Sequence, residues 1–88
     1  MIYAVQFTGP ARRALQSIPP RIVPAIVEFA FGALAREPHR AGKPLERDLA
    51  GLIGARRGPY RLLYRIDEGR QIVYVVHVDH RADVYRSR

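Results

Sequence analysis

The sequence predicts an α+β fold of order β-α-α-β-β-β, an antiparallel-meander sheet with an N-terminal helical hairpin packed on one face. Three observations lead there. Apolar residues alternate with a period of two at the start of the chain, two stretches between Thr8 and Arg36 carry helical spacing, and three β-rich runs follow Gly51, separated by turn residues. The 88 residues show no internal repeat or long linker and are expected to form one domain over 1–88, close to the smallest size that buries its own core without disulfides or metal.

From Ile2 to Thr8, Tyr3, Val5 and Phe7 share one face against Ala4, Gln6 and Thr8, as in a half-buried strand. Thr8 followed by Gly9-Pro10 is a helix start, because Pro is harmless where the N–H has no intrahelical acceptor. Ala11, Ala14, Leu15 and Ile18 then keep helical spacing up to Pro19-Pro20. A second helix is expected from Arg21 to about Arg36, with Ile22, Val23, Ile26, Val27, Ala30, Phe31 and Leu34 as a wide apolar stripe and Pro24 in the first turn. Glu37 to Pro44 reads as a loop. Leu52 to Arg57, Tyr60 to Ile66 and Gln71 to Val78 form the meander, turned at Gly58-Pro59 and at Asp67-Glu68-Gly69-Arg70. In the middle strand Tyr60, Leu62, Tyr64 and Ile66 face one way and Arg61, Leu63 and Arg65 the other, so one face is core and the other carries guanidinium groups. A ligand could lie on that uncovered face.

Charge narrows the function classes. Fifteen basic against eight acidic residues give a net charge of +7, and 14 of the 15 bases are Arg. Such a surface attracts polyanions, and the planar guanidinium fork matches phosphate oxygens; the competing explanation is codon bias in a GC-rich genome. Cysteine is absent, which excludes disulfides, thiol nucleophiles and thiolate metal sites. No His, Asp or Glu pair has metal-ligand spacing, so neither a metal nor a cofactor is expected. The longest apolar run is far shorter than the roughly 20 residues a membrane span needs. With no leader-like start, the expected location is the cytoplasm.

The segments that carry chemistry are Arg56-Arg57-Gly58-Pro59-Tyr60-Arg61-Leu62-Leu63-Tyr64-Arg65 and, after the last hairpin, His80-Arg81-Ala82-Asp83-Val84-Tyr85-Arg86. Adjacent antiparallel strands bring such segments together, so Arg56, Arg61, Arg81 and Tyr85 are expected to converge on one phosphate-binding patch. His39 reads as an exposed loop residue and His77, inside an apolar strand, as a hydrogen-bonded sheet residue. Tyr60, Tyr64 and Tyr74 read as packing residues.

Together with Gly42-Lys43-Pro44-Leu45 and Leu49-Ala50-Gly51-Leu52, these segments resemble, in order and spacing, the RelE/ParE toxins of type II toxin–antitoxin systems, and the resemblance spans essentially the whole chain. It implies a metal-independent endoribonuclease that cleaves messenger RNA in the ribosomal A site and is held in check by a cognate antitoxin. In the RNA-cleaving branch the matching residues imply that Arg61 contacts the scissile phosphate, Arg81 stabilises developing charge or assists the leaving group, and Tyr85 stacks on a base or moves a proton. Arg56 would support the transition state, with Arg57, Arg65, His80 and Arg86 as further RNA-binding groups. Arginine is too weakly acidic to act as a base, so the general base is Tyr85 or His80. Some relatives carry two basic residues two apart on the strand of Arg56; Gly54 stands at the earlier position here. Others use a Glu upstream of the meander, a position that Glu46 does not match. The resemblance also leaves the ParE-like branch as an alternative, in which the protein inhibits DNA gyrase without phosphoryl chemistry, and a degenerate RNA-binding member as another.

Overall fold

The computed structural model describes residues 2–80. One five-stranded mixed sheet has the order β1-β5-β4-β3-β2, built from β1 (Ala4–Phe7), β2 (Lys43–Pro44), β3 (Ile53–Arg57), β4 (Tyr60–Asp67) and β5 (Ile72–His80). β1 runs parallel to β5, and the other neighbours are antiparallel. The α+β architecture and the meander thus stand as the periodicity predicts. Helix α1 (Gly9–Gln16) follows β1 directly, capped by Thr8, whose hydroxyl accepts from the Ala11 amide. Ala11 and Ile18 meet Ile26, Ala30 and Leu34 over Leu62, Tyr64, Val73, Val75 and Val78 of the sheet, forming the core.

Two expectations are corrected. The helix expected from Arg21 to about Arg36 forms from Val23 to Arg36, but it is not regular throughout: after α2 (Val23–Phe29) its turn at Ala30–Leu34 is π-helical. The wider turn shifts the phase of the apolar stripe, so Phe31, assigned to the core face, is 55% exposed and leans on Phe7 with ring centroids 6.2 Å apart. The loop expected from Glu37 to Pro44 contains α3 (Pro38–Ala41) and β2, an edge strand that pairs Lys43 with Gly54 and Pro44 with Ile53. Gly42 permits this approach: a Cβ there would lie 2.5 Å from the Gly54 carbonyl oxygen.

The segment around α3 is fastened at two points. Fully buried Tyr64 donates from its hydroxyl to the Pro38 carbonyl oxygen at 2.6 Å. On the surface, Glu68 accepts from Tyr3 at 2.8 Å and pairs with His39, joining the first strand, α3 and the β4–β5 turn. Those hydrogen bonds, Tyr3's first, hold the Glu68 carboxyl below its ordinary pKa, while the Tyr3 hydroxyl is raised by the same contact.

β5 carries the decisive irregularity. Leu63 pairs with His77, but its neighbour Tyr64 pairs with Val75, so Val76 is an extra residue in the ladder. The Thr8 amide donates to the Val75 carbonyl at 3.0 Å and its hydroxyl to that of Val76 at 3.4 Å, tying the bulge to the start of α1. Past the bulge the phase of β5 is reversed. Val78 joins the core, and His77 and Asp79 turn to the uncovered face.

Burial pushes the Tyr64 hydroxyl up to about 12. A pKa raised above the unfolded value means that this neutral hydroxyl contributes its full stability below about pH 10, lost as pH rises towards 12. Tyr64→Phe, which leaves the Pro38 carbonyl without its donor, is expected to lower unfolding stability by about 1–2 kcal/mol in urea titrations at pH 7. That deficit should shrink when the titration is repeated between pH 10 and 12.

Candidate functional site

On the sheet face away from the helices, Arg56, Arg61 and Asp79 stand in one cross-strand row, and Gly54, Leu63 and His77 form the next. Directly opposite residues on neighbouring strands approach to about 5 Å between Cβ atoms, so Arg56 and Arg61 press like charges together. Arg61 is half-buried. Its Nε is enclosed without a hydrogen-bond partner among the described residues, and its Cδ lies 3.5 Å from where a Cβ on Gly54 would stand. Gly54 therefore provides the floor on which the Arg61 stem and Leu45 lie. A guanidinium with a buried, unsatisfied donor beside a second cation is an arrangement that an oxyanion completes.

Asp79, opposite Arg61, does not ion-pair with it among the described residues; its Oδ1 is instead 2.6 Å from His77 Nε2. The His77 and Asp79 side chains are 44% and 25% exposed, so the pair sits at the surface of the same patch. Neither residue is among those expected to form the site. The signal was a His and an Asp two apart on a strand, which share a face, but strict alternation from Val73 and Val75 would have placed both in the core.

The remaining candidates are dispersed. Arg65 is on the same face, four residues and about 13 Å along the strand from Arg61, and lies over its cross-strand partner Tyr74 at 4.3 Å. Arg57 and His80 flank Tyr60 in the row that points to the helical side, where the Tyr60 and His80 rings meet edge to face at 5.1 Å. There, Ala14, Ser17 and Ile18 help Tyr60 and His80 line a cleft of about 450 Å³, which His77, Val78 and Asp79 of β5 also border. Arg57 and His80 therefore do not join Arg56 and Arg61 on one surface. Arg81, Tyr85 and Arg86 lie outside the described residues. Among the described residues no cluster of three or more His, Asp or Glu is suited to a metal, and no helix is long and apolar enough to cross a membrane.

Comparison with known proteins places this geometry in a family. The family model described as "ParE toxin of type II toxin-antitoxin system, parDE" matches residues 5–85. Toxin RelG of Mycobacterium tuberculosis is 63% identical over 98% of this chain and 99% of its own, and Toxin RelE of the same organism is 50% identical over 96% and 87%. The crystal structure of the RelBE2 toxin–antitoxin complex from M. tuberculosis contains a chain that superposes with a TM-score of 0.89 at 61% identity, covering 94% of this chain and 95% of that one. An archaeal RelE–RelB complex from Pyrococcus horikoshii contributes a chain with a TM-score of 0.70 at 26% identity, over 92% and 97%. A double mutant of Escherichia coli toxin RelE in the free state, at 19% identity and a TM-score of 0.71 over 98% and 93%, shares the fold. A family model over nearly the whole chain and a relative of this identity establish that the protein is a toxin of the RelE/ParE family of type II toxin–antitoxin systems.

Proposed function

We propose that the chain is a metal-independent endoribonuclease that cleaves messenger RNA in the ribosomal A site. The observation that carries this reading is the pair of directly opposed cations, Arg56 and Arg61, with Arg61 Nε buried and without an acceptor among the described residues. The 2′-hydroxyl of the RNA attacks the adjacent phosphorus; the P–O2′ bond forms, the P–O5′ bond breaks, and a 2′,3′-cyclic phosphate and a free 5′-hydroxyl result. The nucleophile is tethered beside its target, so the protein's chief tasks are to orient the backbone and to stabilise the charge on the phosphoryl oxygens. Arg61 takes the phosphoryl oxygens and Arg56 supports them. Arg81 stabilises the departing 5′-oxygen, and Tyr85 stacks on a base or accepts the 2′-hydroxyl proton; His80, the other candidate acceptor by sequence, faces the helical side with Tyr60 and is set aside. Arg65 and Arg86 add backbone contacts.

The protein's regulator is a cognate antitoxin, by analogy with the complexes in which its relatives were crystallised. A net charge of +7 draws it to both an acidic partner and the ribosome. Its place of action is the cytoplasm, where its substrate is found. A second reading draws on the ParE description of the matching family model: a non-enzymatic inhibitor of DNA gyrase, in which the arginine row binds protein.

Primer extension on a defined message in programmed ribosomes separates the two. The nuclease reading expects A-site cleavage by the wild-type protein, unaffected by EDTA at a fixed magnesium activity that keeps the ribosomes intact, and lowered about a hundredfold in Arg61→Ala and in Arg81→Ala. An intact message together with growth arrest would transfer the lead to gyrase. Arg56→Gln is expected to be less active yet more stable by about 0.5 kcal/mol, since it relieves the repulsion opposite Arg61. Thermal melts should show that gain at low ionic strength and lose most of it in 1 M salt, where the screening length falls to about 3 Å.

A further inference from the structure

We infer that His77 is a positioning residue that holds the Asp79 carboxylate off Arg61 and so keeps the guanidinium available for phosphate. This inference rests on the proposed role of Arg61 as the phosphate contact. Arg61 and Asp79 are direct cross-strand partners, an arrangement in which opposite charges ordinarily pair. Among the described residues no ion pair joins them. The Asp79 carboxylate is taken by His77 Nε2 at 2.6 Å, and Arg61 Nε is left without an acceptor among the described residues.

The bulge makes this possible. His77 reaches the uncovered face because Val76 reverses the phase of β5, and two residues later Asp79 emerges beside it. The charged groups in the neighbouring rows are Arg61 from β4 and Arg56 from β3, both cationic. The cleft beside α1, which His77 and Asp79 themselves border along with Tyr60, Val78 and His80, receives only the uncharged Ala14, Ser17 and Ile18 from the helical layer. The His77 imidazole thus gives Asp79 a partner that leaves Arg61 to phosphate. Released from it, the carboxylate would have Arg61 as its nearest cross-strand cation, and an occupied guanidinium lowers apparent phosphate affinity by the fraction of molecules so paired.

A double-mutant cycle tests the idea on the full chain with the A-site cleavage assay, read as kcat and KM. His77→Ala is expected to raise KM for programmed ribosomes about fivefold, the scale of a partly exposed ion pair. The loss should vanish when His77→Ala is measured in an Asp79→Asn background. His77→Arg, which keeps a partner for the carboxylate, should retain wild-type KM. Loss of activity in His77→Arg, or no rescue by Asp79→Asn, would show that the imidazole acts in its own right or only in the fold, and would overturn the inference.

A second readout does not depend on RNA. The side-chain Nε–H resonance of Arg61 should move in His77→Ala and return in the double variant. An unmoved resonance overturns the inference, while Arg61→Ala protein that cleaves like wild type overturns the nuclease role of Arg61 instead. Thermal melts of each variant confirm that it is folded.

Discussion

One extra residue in β5 determines what each face of the sheet can be. If Val76 did not bulge, the alternation that buries Val73 and Val75 would carry His77 and Asp79 under the helices and turn Val78 to solvent. Burying an ionised carboxylate in an apolar core costs several kcal/mol even after relaxation. With the bulge, Val78 is 4% exposed in the core and the polar pair is at the surface. The connection between β1 and α1 secures the irregularity: Thr8 caps the helix and bonds the carbonyls of Val75 and Val76, so the start of α1 and the phase of β5 are set by a single side chain and its backbone. Bulges bend a strand and redirect its side chains. Here the redirection fills the row opposite Arg61.

The far end of the sheet supports that row by different means. β4 is buried at Leu62 and Tyr64 on the helical side and carries Arg61 and Arg65 on the other, so its rigidity is passed directly to the cations. Tyr64 anchors α3 through the Pro38 carbonyl, and Gly42 lets β2 close against β3. Leu45, just beyond β2, then reaches Gly54 next to the Arg61 stem. A long flexible side chain loses up to about 2 kcal/mol of rotamer entropy when it is ordered. Packing the aliphatic stem of Arg61 against Gly54 and Leu45 incurs that cost during folding, before any phosphate arrives. Opposed arginines also repel one another. Both effects subtract from stability and favour an anion, the balance expected of a binding surface in a small domain.

Much of this was legible in the sequence, and the failures share a cause. The core and guanidinium faces of β4 follow from strict alternation between Tyr60 and Ile66, and the Thr8-Gly9-Pro10 helix start from capping chemistry. Arg56 and Arg61 were expected to meet, and they do, across the two-residue turn at Gly58-Pro59. A two-residue edge strand such as Lys43–Pro44 has no periodicity to detect. The π-helical turn and the bulge are both single-residue insertions that slip the phase of an otherwise regular element, and apolar residues stand on both phases around them. In Val75-Val76-His77-Val78 either register buries a valine. That ambiguity concealed His77 and Asp79. It also affected the other face, because Arg57 and His80 point to the helical side, a placement that requires the register and cannot be read from proximity in sequence.

RNA cleavage, the proposed activity, and partner inhibition, its alternative, make different demands on one fold. The difference lies in what an arginine row must do. A surface that binds an acidic protein gains from cations spread across a rim, each screened and mobile and each worth about 1 kcal/mol or less. A surface that stabilises a phosphoryl transition state needs at least one donor fixed in a low-dielectric setting before the charge develops there. Arg65, exposed and resting on Tyr74, fits the first description. Arg61 fits the second: its Nε is enclosed, its stem is packed on glycine, and the adjacent carboxylate is occupied by His77. The contrast between two arginines on one strand is thus what favours catalysis over adhesion.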